Sequence, residues 1–254
     1  MILELLADGA DIIVKLDGDG QMDPQRIPDL VAPIARDEAD YVKGNRFFQL
    51  DGLATMPLPR LVGNAGLSFL SKMSSGYWNL FDPTNGYTAI HARIVAALPL
   101  DKLSRRCFFE SDILFRLNTL RAVVVDVPMT AYYADEQSSM NLLRVLGAFP
   151  WYHAKNYSKR LFYNYFLRNF SIASVNLVAG LAMLTFGVVF GVCKWVQGFQ
   201  LDILATPGTV MLASLPVILG TQLLLSFLNY DMADVPREPI HGKLSLLWHK
   251  SAHG

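Results

Sequence analysis

Two stretches of this chain stay free of charged side chains for longer than a soluble fold ordinarily allows. Asn169–Cys193 runs for 25 residues and Ile203–Tyr230 for 28. A helix rises about 1.5 Å per residue, so about 20 apolar residues cross the hydrocarbon of a bilayer. Both stretches reach that length, which favours a membrane hairpin over two buried core helices. The expected spans are about 171–193 and 203–229, joined by the short link Lys194–Asp202. Gly180, Gly187 and Gly191 on the first span offer close backbone approach, and Pro207 and Pro216 on the second are better tolerated in bilayers than in water.

Charge divides the rest of the chain. Residues 1–138 hold 13 basic and 18 acidic residues, a balance of −5. Residues 139–171 hold five bases (Arg144, Lys155, Lys159, Arg160 and Arg168) and no acid. The expected organisation is a soluble domain over 1–138, amphipathic interfacial helices over 139–170, a hairpin over 171–230, and a polar tail over 231–254. The middle segment mixes its bases with Trp151, Tyr152, Tyr157, Phe162, Tyr163 and Phe166, a composition suited to the headgroup layer, and Pro150 is expected to split it. A surface helix packed on the soluble domain is the alternative. The basic collar puts its end of the hairpin in the cytoplasm, and a hairpin returns the C-terminus to the same side. A net charge of zero argues against a nucleic-acid partner. Hydrophobic residues at 52% exclude global disorder, and two cysteines cannot form a four-thiolate zinc site.

Within 1–138, strand and helix signals alternate. Residues 11–16, 40–43 and 122–127 read as strands. Residues 25–36, 62–72, 90–98 and 110–119 read as helices. Such alternation predicts an α/β domain with a largely parallel sheet, and open α/β sheets bind ligands at the carboxyl ends of their strands.

The first such end reads Asp17-Gly-Asp19-Gly-Gln21-Met-Asp23-Pro24. Two carboxylates at i and i+2, with an amide at i+4, can turn toward one hard cation, and Mg²⁺ or Mn²⁺ takes such oxygen ligands while sharing its shell with phosphates. An EF-hand loop fails, because Met22 stands at its sixth position and Pro28 at its twelfth. A plain polar turn remains an equal alternative on these residues alone.

Further motifs follow in order: "KGNRF", "DPTNGYTAI" (82–90), "FFESDILFRL" (108–117), "VVDVPM" and "DEQSSMN". Together with "VKLDGDGQMDP" and the two-span tail, they resemble family-2 glycosyltransferases of GT-A fold. The closer likeness is to the polyprenyl-phosphate type, which includes dolichyl-phosphate mannose synthases and bactoprenol glucosyltransferases. That resemblance implies an enzyme of the hexosyltransferase class. It would transfer a sugar, with inversion, from a nucleotide-sugar donor to a membrane polyprenyl phosphate at the cytoplasmic face. It also implies an integral membrane protein with the catalytic domain and both termini cytoplasmic; self-association is left open.

The resemblance places roles on residues. Asp17, Asp19 and Gln21 would hold Mg²⁺ or Mn²⁺, with Asp19 also counted as catalytic. Arg46 and Arg60 would grip the lipid phosphate, for which a planar guanidinium fork is suited; the alternative for each is a plain surface base. Asp82, Thr84 and Asn85 would line the acceptor side, Asp82 as a catalytic candidate. Glu110 and Asp112 would position acceptor or donor sugar. A phosphate acceptor is already ionised near neutral pH, so no strong general base is required. His91 and His153 read as structural.

Three departures qualify the resemblance. Thr88 stands where relatives usually carry arginine. The loop Ala134–Met140 lacks their basic residues. Only 16 residues precede Asp17, so the first β-α-β portion, which forms the nucleoside pocket, is expected to be missing here: a fragment, a misplaced start, or a part supplied by a second polypeptide. Two other functions stay open: a non-catalytic membrane remnant or interaction protein, and a transferase acting on a polysaccharide.

Overall fold

Among the described residues, four strands form one sheet, short and mostly apolar on both faces because helices cover it on each side. The computed structural model describes residues 2–18, 20, 22–46, 58–83, 85–104, 108–129 and 142–244. They fall into two units, one of Met1–Arg160 with Val235–Gly254 and one of Leu161–Asp234.

In the first unit, helix α1 (Ile2–Ala7) leads into β1 (Ile12–Lys15). A 3₁₀ turn at Pro24–Arg26 is capped by Asp23, whose Oδ1 accepts the Gln25 N–H at 2.9 Å. Helix α2 (Ile27–Ala35), β2 (Tyr41–Asn45), α3 (Leu58–Ser75), β3 (Thr88–His91), α4 (Ala92–Ala97), α5 (Phe109–Leu120), β4 (Val124–Pro128) and α6 (Leu142–Phe162) follow. The sheet order is β1-β3-β2-β4. β3 lies antiparallel to both β1 and β2, and only β2 and β4 run parallel.

This corrects the expectation of a largely parallel sheet, and the source of the error is local. Residues 90–98 read as one helix, but Thr88–His91 is a strand and the helix begins at Ala92. Thr88, Ala89 and Ile90 are all buried, so the segment lacks the alternation that marks a half-exposed strand. His91 ends it by capping α4, its Nδ1 accepting the Arg93 N–H at 3.1 Å.

The pleat sends alternate residues to two cores. Ile13, Tyr41, Ile90 and Val124 pack with Ile94 of α4 and Leu114 and Leu117 of α5. Val42 and Ala89 pack with Leu30 and Ile34 of α2 and with Tyr87.

Helix α6 runs unbroken through Pro150, against the expected split. A proline removes one ladder hydrogen bond, and polar contacts beyond it hold the helix in line. His153 Nδ1 pairs with Ser74 Oγ at 2.8 Å, Asn156 Nδ2 donates to Asp112 Oδ1 at 3.0 Å, and Arg160 Nη2 donates to the Met73 carbonyl at 2.8 Å. Burial lowers the His153 pKa to about 4, so the ring is neutral near neutral pH. Gly76 has φ +80°, and a Cβ there would come within 2.8 Å of Arg160 Nη1 and 2.9 Å of Asn118 Nδ2. This face of α6 packs on the rest of the first unit, while Trp151, Tyr152 and Phe162 are exposed.

The segment after the second long helix is not a free polar tail. Val235, Ile240 and Leu244 pack on the first core. The Asp40 carboxylate, fully buried, accepts the N–H of Val123, Ile240 and His241 and pairs with His241 Nδ1 at 2.7 Å. His241 Nε2 pairs with Asp37 at 2.7 Å, and its ring stacks on His91 with centroids 4.3 Å apart.

In the second unit, a π-helical turn (Tyr163–Arg168) precedes α7 (Ile172–Leu201) and α8 (Pro207–Ala233). Both helices are long and apolar enough to cross a membrane. α7 continues eight residues past Cys193, because nothing between Lys194 and Leu201 breaks it, so the link is Asp202–Thr206 rather than Lys194–Asp202. Asp202 ends α7 in the left-handed conformation, and Thr206 Oγ1 caps α8 by accepting the Thr209 N–H. Close approach is set at Gly187, where a Cβ would lie 2.8 Å from the Ala213 carbonyl, and at Gly180, facing Leu224 and the Gly220 carbonyl; at Gly191 a methyl would fit in ordinary contact. Tyr165 donates to Asp231 at 2.6 Å within this unit.

Candidate active site

The register of the sheet brings three basic residues to one edge. Lys15 ends β1, and Lys43 lies opposite the same Thr88 of β3. Arg46 follows β2 directly. Because β2 and β4 are parallel and Lys43 pairs with Asp126, their carboxyl ends face the same way.

Glu110, in the first turn of α5, lies between two ammonium groups. Its Oε1 is 2.5 Å from Lys15 Nζ and its Oε2 is 3.4 Å from Lys43 Nζ. Burial works against the Lys15 ammonium, but Glu110 and Asp17 outweigh it and raise the Lys15 pKa. Lys43 is fully buried, and burial lowers its pKa despite the nearby carboxylates. The Lys43 ammonium also donates to the Asn85 carbonyl at 2.7 Å.

The turn after Phe81 carries the next set. Arg46 grips Asp82 with two hydrogen bonds, Nε to Oδ2 at 2.8 Å and Nη2 to Oδ1 at 3.2 Å. Asp82 is buried, whereas the Arg46 side chain is 27% accessible. Asn85 Nδ2 donates to the Gly44 carbonyl at 2.7 Å, and its Oδ1 accepts the Tyr87 N–H at 3.0 Å. The Asp126 carboxylate accepts the Phe81 N–H at 2.5 Å. Burial raises the Asp126 pKa, the neighbouring Asp82 raises it further, and the Phe81 N–H opposes.

Asp17 closes the group on the β1 side. Its Oδ1 is 3.4 Å from Lys15 Nζ. Its Oδ2 occupies space that only a glycine at 86 leaves open, since a Cβ on Gly86 would lie 2.2 Å from it. Among the described residues, no group of three metal-ligating side chains converges. Asp19, Gln21 and Thr84 lie outside the described residues, as does the side chain of Arg60, whose backbone falls in α3.

Of the remaining candidates, Asp17, Arg46, Asp82, Asn85 and Glu110 gather at this edge. Asp112 does not. Its Oδ2 accepts from Ser104 N at 2.8 Å and Arg116 Nε at 3.1 Å, and its Oδ1 accepts from Asn156, so it braces helices instead of facing the site. Two helical positions apart are about 200° around the axis, so Glu110 and Asp112 cannot both point at one ligand. His91 and His153 have the structural roles expected of them. Lys15, Lys43 and Asp126 were missed from the sequence. The cue was available: a lysine inside an otherwise apolar strand is seldom buried without a carboxylate partner.

Residues 6–98 match the sequence model of Glycosyl transferase family 2, the family that the motifs resemble. Over 127 residues the chain is 32% identical to a UDP-N-acetylglucosamine–dolichyl-phosphate N-acetylglucosaminyltransferase from Methanococcus voltae, covering 50% of each protein. Over 126 residues it is 31% identical to an undecaprenyl-phosphate mannosyltransferase from Micrococcus luteus, covering 49% of this chain and 51% of that protein. An uncharacterized Methanocaldococcus jannaschii protein is 27% identical over 136 residues, 54% of this chain and 56% of its own length. The chain spans about half the length of the curated relatives it matches.

Proposed function

From the family 2 glycosyltransferase domain carried by residues 6–98, we propose that this protein transfers a sugar from a nucleotide-sugar donor to a membrane polyprenyl phosphate at the cytoplasmic face. The observation that carries this reading is the clustering of Arg46–Asp82, Lys43–Asn85 and Lys15–Glu110 at one sheet edge. The two relatives named for polyprenyl-phosphate transfer and the two apolar helices α7 and α8 support it.

The donor diphosphate needs a hard cation, and the residue types at 17, 19 and 21 are oxygen ligands suited to Mg²⁺ or Mn²⁺. The Asp17 carboxylate, set against Gly86, fits such a role. A bound ion would neutralise charge developing on the departing nucleotide. Arg46 offers the acceptor phosphate a guanidinium whose arrangement Asp82 holds in advance. The ionised phosphate oxygen attacks the anomeric carbon while the bond to the diphosphate oxygen breaks, inverting that carbon. Glu110, held by two lysines, orients sugar hydroxyls. No side chain need remove a proton from the acceptor.

The test is a transfer assay on the natural protein in detergent, with short-chain polyprenyl phosphate and radiolabelled nucleotide sugars. Label is expected in the organic phase, lost on adding EDTA and restored by Mn²⁺ or Mg²⁺. Label appearing in polysaccharide instead, or not at all, overturns the reading. A second expectation concerns Gly86→Ala. The added methyl displaces the Asp17 carboxylate, so half-maximal transfer should need about tenfold more metal, as loss of ligand support typically causes. Unchanged metal dependence would refute that link.

A further inference from the structure

The turn that carries Asp82 and Asn85 is held from two adjacent strands. On β4, Asp126 accepts the Phe81 N–H at 2.5 Å and also the Asp82 N–H. On β2, Lys43 donates to the Asn85 carbonyl at 2.7 Å. Lys43 and Asp126 are register partners across the parallel pair, so one cross-strand step holds the start and the end of the turn. The grip is stiff on both sides. Lys43 is fully buried, and Asn85 ties back to the Gly44 carbonyl beside it. Among the described residues, the second oxygen of Asp126 is buried with no hydrogen-bond partner. Burying a charge at either anchor is costly unless it is paired and hydrogen-bonded, so each anchor is tied to the turn contacts it makes.

We propose that Lys43 and Asp126 form a positioning pair that fixes the 81–86 turn, and through Asp82 the Arg46 guanidinium, for the acceptor phosphate. This assignment rests on the functional reading above. Neither residue touches substrate; Asp126 acts through backbone groups of the turn, and Lys43 acts through the turn and through Glu110. A positioning role predicts a selective kinetic effect, because the turn lines the acceptor side.

Asp126→Asn keeps the shape and removes the charge. Lys43→Met keeps the length and removes the ammonium. In the transfer assay each variant should raise the acceptor KM about tenfold or more, the worth of one charge-assisted hydrogen bond. For Asp126→Asn the donor KM and kcat at saturating acceptor should stay within about threefold; Lys43→Met also removes one of the two ammonium groups that hold Glu110, so its donor KM should rise as well. The double variant should fall short of the product of the two single effects, because both anchors hold one turn. A buried lysine beside Glu110 is a risky position, so if Lys43→Met does not fold, Asp126→Asn alone decides. A folded Asp126→Asn variant with wild-type acceptor KM, or with donor and acceptor KM raised equally, overturns the pair. A wild-type protein that glycosylates no polyprenyl phosphate overturns the functional reading, and this assignment with it.

Discussion

The double variant Asp17→Asn, Asp19→Asn is expected to lose transfer by about 10³-fold or more, since a metal contributes several kcal/mol of charge stabilisation in such a reaction. The substitution is nearly isosteric, so it changes charge and ligand strength but not packing. Asp17 is partly exposed, and the ion pair it makes with Lys15 is one of two, the other being to Glu110 at 2.5 Å. The fold should therefore survive, and the melting temperature should stay within a few degrees of wild type. Initial rates across a Mn²⁺ titration are the measurement. Residual turnover should be independent of metal. Wild-type turnover in the double variant would leave the D-x-D segment as a polar turn and sink the metal assignment.

Asp40→Ala should have the largest effect on stability, about 3–5 kcal/mol, the usual consequence of removing one partner from a buried ionic site. The alanine leaves three backbone N–H groups without an acceptor, those of Val123, Ile240 and His241. Each such orphan costs about 1–3 kcal/mol. It also leaves His241 Nδ1 unpaired while Nε2 still meets Asp37. Asp40→Asn retains an acceptor oxygen and should cost less. Denaturant unfolding in detergent, followed by fluorescence, separates the two. Equal stability of Asp40→Ala and wild type would mean that the 235–244 segment does not bind the domain in solution.

The two long apolar helices and the polar edge that gathers Asp17, Arg46, Asp82, Asn85 and Glu110 were legible in the sequence because they depend on local signals. Uncharged length marks a helix long and apolar enough to cross a membrane, and strand ends rich in acids, glycine and asparagine mark a polar edge. The strand at 88–91 was hidden because burial on both faces erases its period. Asp112 was named with Glu110 from the likeness of 108–117 to an acidic helix, and two positions on a helix lie about 200° apart, so only Glu110 reaches the edge where Lys15 and Lys43 lie. Lys43 was passed over inside a strand that had been recognised. The tail at 235–244 could not be read at all. Residues 231–254 hold three basic and three acidic residues, which suggests a solvated end, and the partner of His241 is Asp40, 201 positions earlier. No periodicity or spacing rule reaches across such a separation.

That separation imposes an order on biosynthesis. Asp40 leaves the ribosome long before His241 is made, and both apolar helices lie between them in the chain. Until the second helix has been synthesised and the polypeptide doubles back, the carboxylate that ties β2 to Val123 lacks three of its four partners, the Ile240 and His241 N–H groups and the His241 ring. The globular unit thus reaches full stability only after the hairpin is complete. Without the residues that follow the second helix, the domain would be unlatched at the start of β2 and open to proteases.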